Sequence, residues 1–303
     1  MNQSEALGMG GGKGSGAARD LKTHSSAPEW WLTLRSHRTV MLGIVILTIM
    51  VLIAVIGPFV VEGDPLKTNL KANRTPPNAE YWFGTDEVGR DIFVRVIYAI
   101  RLDLMLVLVI AGIATVLGAG LGLLSGYVGG TLDQVIMRIT DIMMAFPGFL
   151  LAIAVTAVLG NNLRTVVLAL GFAYAPVAIR LVRAQVLTMR DSQFVEASRA
   201  IGTPGWQIMS YHLFPLTLSI LLAQASLFLA WSVLDVAGLS FLGLGIRPPT
   251  PELGSMTAEG AEFIVTGEWW ISVFPGLVIM LMALAFTLLG DGLRDIFDPR
   301  HKG

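Results

Sequence analysis

Cysteine is absent from all 303 residues, which excludes disulfides, thiolate nucleophiles and cysteine metal sites. Charge is sparse: Asp, Glu, Lys and Arg make up 14% of the chain, with a formal net charge of -1. So even a balance singles out no charged macromolecular partner, and nucleic acid is not expected as one. The four histidines are scattered and form no metal-ligand spacing, so no metal is expected. What fills the chain instead is apolar. Hydrophobic residues reach 54%, above what a soluble domain of this length needs for one core.

The apolar residues gather into runs long enough to cross a hydrocarbon layer of roughly 30 Å, which takes about 20 helical residues. Six spans are expected, at about 39–61, 103–125, 141–160, 163–186, 215–236 and 271–290. The fold class is therefore all-α, a polytopic membrane protein. Residues 1–38 are Gly/Ser-rich and then basic, and read as a partly disordered tail. Their GMGGGKGSG run fails the phosphate-loop pattern, because Leu7 stands where the first glycine belongs and Gly14 follows the lysine. No nucleotide site is found in this chain. The tail is also too long and too Gly-rich to make a good cleavable signal. Residues 39–303 form the membrane domain, with a first outer loop at 62–102, an inner loop at 187–213 and a second outer loop at 237–270.

Six crossings put both termini on one side. With the N-terminus inside, thirteen Lys/Arg fall on inner segments and eight on outer ones, so the positive-inside rule favours cytoplasmic termini. The first outer loop runs against the rule. Three of its cations, Arg90, Arg95 and Arg101, fall on a segment suited to lie along the interface. The second outer loop is acidic, with Glu252, Glu259, Glu262 and Glu268 against Arg247. Trp269 and Trp270 read as interfacial anchors at its end.

Charges at span ends need partners. Asp141 opens the third span at its inner end, where Arg180 and Arg183 close the fourth, and an Asp141–Arg pair is expected there to fix helix register. Asp235, at the outer end of the fifth span, either faces a translocation path or caps a helix. Pro147, Pro176, Pro215 and Pro275 sit in or beside spans with many Gly and Ala residues, the composition of closely packed membrane helices.

The stretch FVEASRAIGTPGWQIMSYHLFP, 194–215, is polar and small-residue-rich between two apolar runs. Its front half reads as a helix with Phe194, Ala197, Ser198 and Ile201 on one face, and Glu196 and Arg199 elsewhere. Gly202 suits the left-handed residue that ends a helix. Thr203 is an N-cap type and Pro204 suits the first helical position of a second helix, about 204–213. Ala197 and Ser198 leave a shallow face for a partner, and Trp206 is of the type that anchors interfaces. From these residues alone, a surface loop without consequence is as good a reading as a docking element.

The pattern Glu196-Ala197-Ser198, Gly202 and Pro215 resembles the EAA loop of the membrane subunits of binding-protein-dependent ABC importers. Ser198 replaces the second alanine of that pattern, and His212 and Phe214 stand where Ile and Leu are usual. WFGTDEVGRDIFVRVIYAIR (82–101), MRITDIMMAFPGFLLAIAV (137–155), RLVRAQVLTMRDSQFVEASRAIG (180–202) and LSFLGLGIRPPTPELG (239–254) resemble, more narrowly, the peptide and nickel permeases of the C-component type. Asp235 departs from a more usual Glu and Leu253 from a Trp. Val94 and Ala99 depart from a Ser and a Gly.

The resemblance implies a type I ABC importer fold whose cytoplasmic coupling helix lies between the fourth and fifth spans. Glu196, Ala197, Ser198, Arg199, Gly202, Trp206 and Pro215 would then couple to a separate ATPase. The implied partners are a second, similar permease subunit, two cytoplasmic ATPases carrying ATP and Mg, and an extracytoplasmic substrate-binding protein. The setting is a bacterial or archaeal inner membrane. Asp86, Arg90, Asp91 and Arg101 would belong to an outer docking or gating segment, for which a solvated structural loop is an equal reading, and Asp235 joins them as an outer candidate. The chain itself would be no enzyme and bind no cofactor. Di- or oligopeptides are the expected cargo. Alternatives are nickel, glutathione or another small solute, or, outside the class, an ion-coupled secondary transporter using Asp141 and Asp235.

Overall fold

The computed structural model describes residues 38–297. The expected tail at 1–38, apart from Arg38, and the chain beyond Phe297 lie outside them. Helices account for most of the described residues, and a single bridge between Thr85 and Asp91 is the one extended pairing among them. In chain order the helices are α1 (Arg38–Val60), α2 (Ile92–Val128), α3 (Gly130–Met144), α4 (Gly148–Leu159), α5 (Leu163–Met189), α6 (Gln193–Ala200), α7 (Phe214–Phe241), α8 (Leu253–Ala261) and α9 (Trp270–Phe297).

Five helical stretches are long and apolar enough to cross a membrane: α1, α2, α5, Gly205–Phe241 and Trp270–Arg294. The expected third span is not one helix. Its residues divide between α3 and α4, which are bent by 85° about Ala145–Pro147, and a sixth crossing exists only if that bent pair counts as one. Pro147 explains the break, since its ring pushes the preceding residue out of the helical region and it brings no N–H of its own. The expected second span also begins too late. α2 starts at Ile92, so Arg95 and Arg101 ride on its first turns rather than on a loop along the interface. Asp91 sets that start, its Oδ1 accepting from the backbone N–H of Phe93 at 2.8 Å and of Val94 at 3.3 Å.

In lipid, water does not drive helices together, so close contact depends on small residues. α2 and α5 run side by side in the same direction. Gly118, Gly122 and Gly126, four residues apart, face Ala178, Val182 and Val186 at the same interval. A Cβ built on Gly118 would lie 2.2 Å from that of Ala178. Around this pair, Ile110, Leu170, Phe228 and Leu239 fill a core shared by α2, α5 and α7. A separate cluster of Val182, Val186, Val195, Ile208, Leu213 and Leu221 closes the end of the bundle at which α6 sits.

Candidate functional site

The α6 end is built by a short helix and a turn. Gly202 has φ of +81°. Its N–H donates to the Arg199 carbonyl and the N–H of Thr203 to that of Ser198, both at 3.0 Å. These two bonds satisfy carbonyls that α6 would otherwise leave open, and the left-handed residue they require is a glycine. The second helix differs from expectation. Pro204, not Thr203, is the N-cap residue, and Gly205–Gln207 is one helical turn. Ile208–Leu213 then widens into a π-helix that continues without interruption into α7. Pro215 therefore does not begin a separate span. It has no N–H to give, and the widened turn before it, in which Phe214 N–H donates to Met209 five residues back, absorbs that loss.

The faces of α6 also divide differently from expectation. Ser198 turns inward with Val195, which is wholly buried against Ile208 and Leu213, and the Ser198 hydroxyl donates to the Phe194 carbonyl at 2.8 Å. The shallow outer face belongs to Ala197 without Ser198. Phe194, Glu196, Ala197, Arg199, Ile201, Gly202 and Trp206 are exposed, leaving three large apolar side chains uncovered within thirteen residues. Behind them, the Arg199 guanidinium lies 5.1 Å from the centre of the Tyr127 ring, and Arg190 Nη1 donates to the Gly126 carbonyl at 3.3 Å. α6 is thus pinned to the end of α2 as well as to α5 and α7.

Beside this end, Arg180 pairs with Asp141, both side chains about half exposed. Arg183 does not join them. It forks onto Asp133, Nε to Oδ1 at 2.6 Å and Nη2 to Oδ2 at 2.7 Å. Ser125 donates its hydroxyl to the same carboxylate. Asp133 sits in the first turn of α3, eight residues before Asp141, and the sequence reading missed it because the break after α3 was not foreseen.

The opposite end holds the candidate docking segment, and its charges are committed internally. Asp86 Oδ1 accepts from the N–H groups of Val88 and Arg90, and Asp86 Oδ2 lies 2.5 Å from Arg90 Nε. Arg90 also reaches Glu259 at 3.4 Å. Arg95, 1% exposed, donates to the carbonyls of Pro65 and Pro249 at 3.2 Å each. Asp86 and Arg90 are thus a buried brace rather than free docking charges, and Asp91 is the cap of α2. Arg101 alone of these candidates is exposed. Burial holds the carboxyls of Asp91 and Glu259 above their ordinary range, against backbone bonds for the first and Arg90 for the second.

The second loop is equally tied down. Glu252 is fully buried, and its carboxylate caps α8 through the N–H groups of Gly254 at 2.9 Å and Ser255 at 2.7 Å. Burial nevertheless raises its carboxyl above the usual range. Trp270 is no interfacial anchor. It is 8% exposed, and its indole N–H donates to the Thr85 carbonyl at 3.3 Å. Trp269 remains exposed.

Asp235 caps nothing. It lies within α7, and the Tyr174 hydroxyl of α5 donates to its Oδ2 at 2.6 Å. The pair borders a cavity of about 360 Å³ that opens where α3 breaks from α4. Tyr174 and Phe228 stack with centroids 5.4 Å apart, and Trp231 meets Tyr174 edge-on at 6.1 Å. The sequence carried no sign of Tyr174, since only the folded α5 brings it to α7.

Comparison with known proteins agrees with this architecture. Residues 118–303 match the family described as binding-protein-dependent transport system inner membrane component. Residues 28–77 match the N-terminal TM domain of oligopeptide transport permease C. The dipeptide transport system permease protein DppC of Alkalihalophilus pseudofirmus is 40% identical over 274 residues, covering 90% of each chain. The probable D,D-dipeptide transport system permease protein DdpC of Escherichia coli is 39% identical over 273 residues, 90% of this chain and 91% of that one. The glutathione transport system permease protein GsiD of Pectobacterium atrosepticum is 37% identical over 286 residues, 94% of each. An all-helical bundle with an exposed helix–turn at one end, matched along most of its length, makes this chain a member of the family of binding-protein-dependent transport system inner membrane components, the permease subunits of ABC importers.

Proposed function

We propose that the chain forms half of the membrane pathway of an ATP-driven importer of di- and oligopeptides, and that α6 with the turn at Gly202 is the seat of an ATPase partner. The observation that carries this is the division of one short segment. Val195 and Ser198 are buried in the bundle while Phe194, Ala197, Ile201 and Trp206 stay uncovered. Apolar side chains grouped around small ones are what a partner's groove covers, and an aromatic near the centre supplies most of the contact energy.

The same segment is mechanically continuous with the bundle. A push on α6 reaches α5 through residues 190–192, α2 through Arg199 on Tyr127, and α7 through the unbroken helix Gly205–Phe241. Closure of two ATPases around ATP and Mg would favour one arrangement of this bundle over another. That is the unequal binding a population shift requires. A second, similar permease subunit completes the pathway, and an extracytoplasmic binding protein delivers cargo. The side of α6 is cytoplasmic, with the chain in a bacterial plasma membrane and both termini inside. The peptide cargo is supported by the relatives, whose names specify dipeptides, D,D-dipeptides and glutathione, itself a small peptide.

Because the chain has no cysteine, Ala197→Cys gives it one unique thiol on the exposed face. In membranes containing the whole complex, a bifunctional thiol reagent should join Ala197→Cys to an ATPase subunit. Ser198→Cys, facing inward, should react far less. Uptake into vesicles should need ATP and binding protein together. Uptake that follows an ion gradient with no ATPase present would overturn the reading.

A further inference from the structure

Asp133 and Asp141 each hold an arginine, whereas Asp235 holds no cation among the described residues. Its one side-chain bond among the described residues, from the Tyr174 hydroxyl, occupies Oδ2, and Asp235 itself lines the cavity. A carboxylate inside a membrane-crossing helix is costly unless something compensates it, and where it faces an opening rather than a neighbour it marks a route for solute. The depth fits such a route. Asp235 lies six residues from the end of α7, roughly 9 Å along it, and Tyr174 eleven residues into α5, roughly 16 Å, both inside a hydrocarbon layer of roughly 30 Å. The wall facing it is the interruption between α3 and α4 at Ala145–Pro147. Non-helical backbone is tolerated at that depth where it lines a cavity, and discontinuous helices frame the solute sites of other transporters.

The lining has a definite chemistry. Asp235 shares the lining with Tyr174, Trp231, Phe149, Phe146 and Met143. Tyr174 is held by its stack on Phe228, so Asp235 is fixed in place rather than free to swing. A single anion beside aromatic rings suits an organic ammonium, which gains a charge-assisted hydrogen bond from the carboxylate and attraction to the ring faces.

We propose that this cavity is a transit site for the terminal ammonium of the transported peptide, with Asp235 Oδ1 accepting from it and Tyr174 positioning Asp235. The peptide identity rests on the function proposed above, whereas the preference for an organic cation does not.

Leu234 lines the same cavity and is exposed, so Leu234→Cys places a reporter thiol there in a chain that has no other. In vesicles carrying the complete complex, its rate of reaction is measured with a cationic and an anionic methanethiosulfonate of similar size. The cationic reagent should react about tenfold or more faster, a typical enrichment in a cleft lined by one sign of charge. Asp235→Asn should abolish the preference and Asp235→Glu should keep it. Alanyl-alanine should slow the cationic reaction, and N-acetyl-alanyl-alanine should not. Equal rates for the two reagents, or a preference that survives Asp235→Asn, would overturn the proposal. So would equal protection by the free and acetylated peptides. If the complex fails to import alanyl-alanine at all, the peptide reading falls, and the charge preference still decides the ammonium site.

Discussion

Arg183 and Asp133 lock α5 to α3 through two parallel hydrogen bonds of 2.6 and 2.7 Å, with the Ser125 hydroxyl of α2 on the same carboxylate. Three helices meet at this one acid, in the first turn of α3. Asp141, by contrast, meets Arg180 on an open face. Asp133→Asn should therefore destabilise the subunit by about 1.5–3 kcal/mol, the range for hydrogen bonds to charged groups. Asp141→Asn should cost at most ~1 kcal/mol, as exposed ion pairs do. Thermal aggregation midpoints in detergent would rank the two, and the reverse order would contradict this account.

The contact between α2 and α5 makes a similarly sharp contrast. Gly118 has Ala178 pressed against it, while Gly120, two residues on, has nothing within 4 Å. Gly118→Leu should cost about 1–3 kcal/mol by overpacking and should lower the yield of folded subunit. Gly120→Leu should be tolerated. Folded yield by size-exclusion chromatography separates the two.

At the α6 end, the conformation of Gly202 matters more than its space, since no atom crowds it. A β-branched side chain in the left-handed region costs roughly 1–2 kcal/mol, and Asn tolerates it better. Gly202→Val should leave ATP hydrolysis by the complex running while uptake falls, and Gly202→Asn should retain most of the coupling. Glu196→Lys, on the exposed face, should also uncouple without unfolding the chain. The ratio of peptide taken up to ATP hydrolysed is the measurement.

The brace at the opposite end carries a pH signature. Arg90→Ala would leave buried Asp86 with only the more distant Arg95, at 3.8 Å, and half-buried Glu259 without its partner, and removing one partner of a buried pair typically costs about 3–5 kcal/mol. Burial already raises the Glu259 carboxyl, and Arg90 opposes that rise, so losing Arg90 moves it further up. A carboxyl that binds its proton more tightly in the folded chain than in the unfolded one stabilises the fold as pH falls through its folded-state value. The variant should thus regain stability on acidification from neutral pH more than the parent does. Melting curves at successive pH values test this, and a variant that weakens in step with the parent would argue against the brace.

Much of the fold was readable in advance because membrane crossing depends on length and composition, both properties of the chain alone. Gly202 as a left-handed helix end was legible for the same reason, since it reflects a local backbone preference. The starts of α2 and α8 were not: Asp91 is an ordinary capping type masked by loop polarity, and Glu252 is not one of the usual N-cap residues. Trp270 and Glu252 look like exposed loop residues in the sequence, but the first is buried against the Thr85 loop and the second beneath the start of α8. The inward turn of Ser198 also escaped. One step around a short helix decides whether a side chain faces the bundle or the outside, and only the packing of Val195 sets that angle.

Apolar runs, breakers and the register from Glu196 to Pro215 determined from the sequence alone that this is a helical permease with an interrupted loop near its middle, because each acts over a few residues of backbone. Which acid takes which arginine, which face of α6 stays bare, and that Tyr174 meets Asp235 beside a broken helix were decided only in three dimensions. Those pairings join residues up to 169 positions apart, and their partners are chosen by tertiary packing rather than by spacing along the chain.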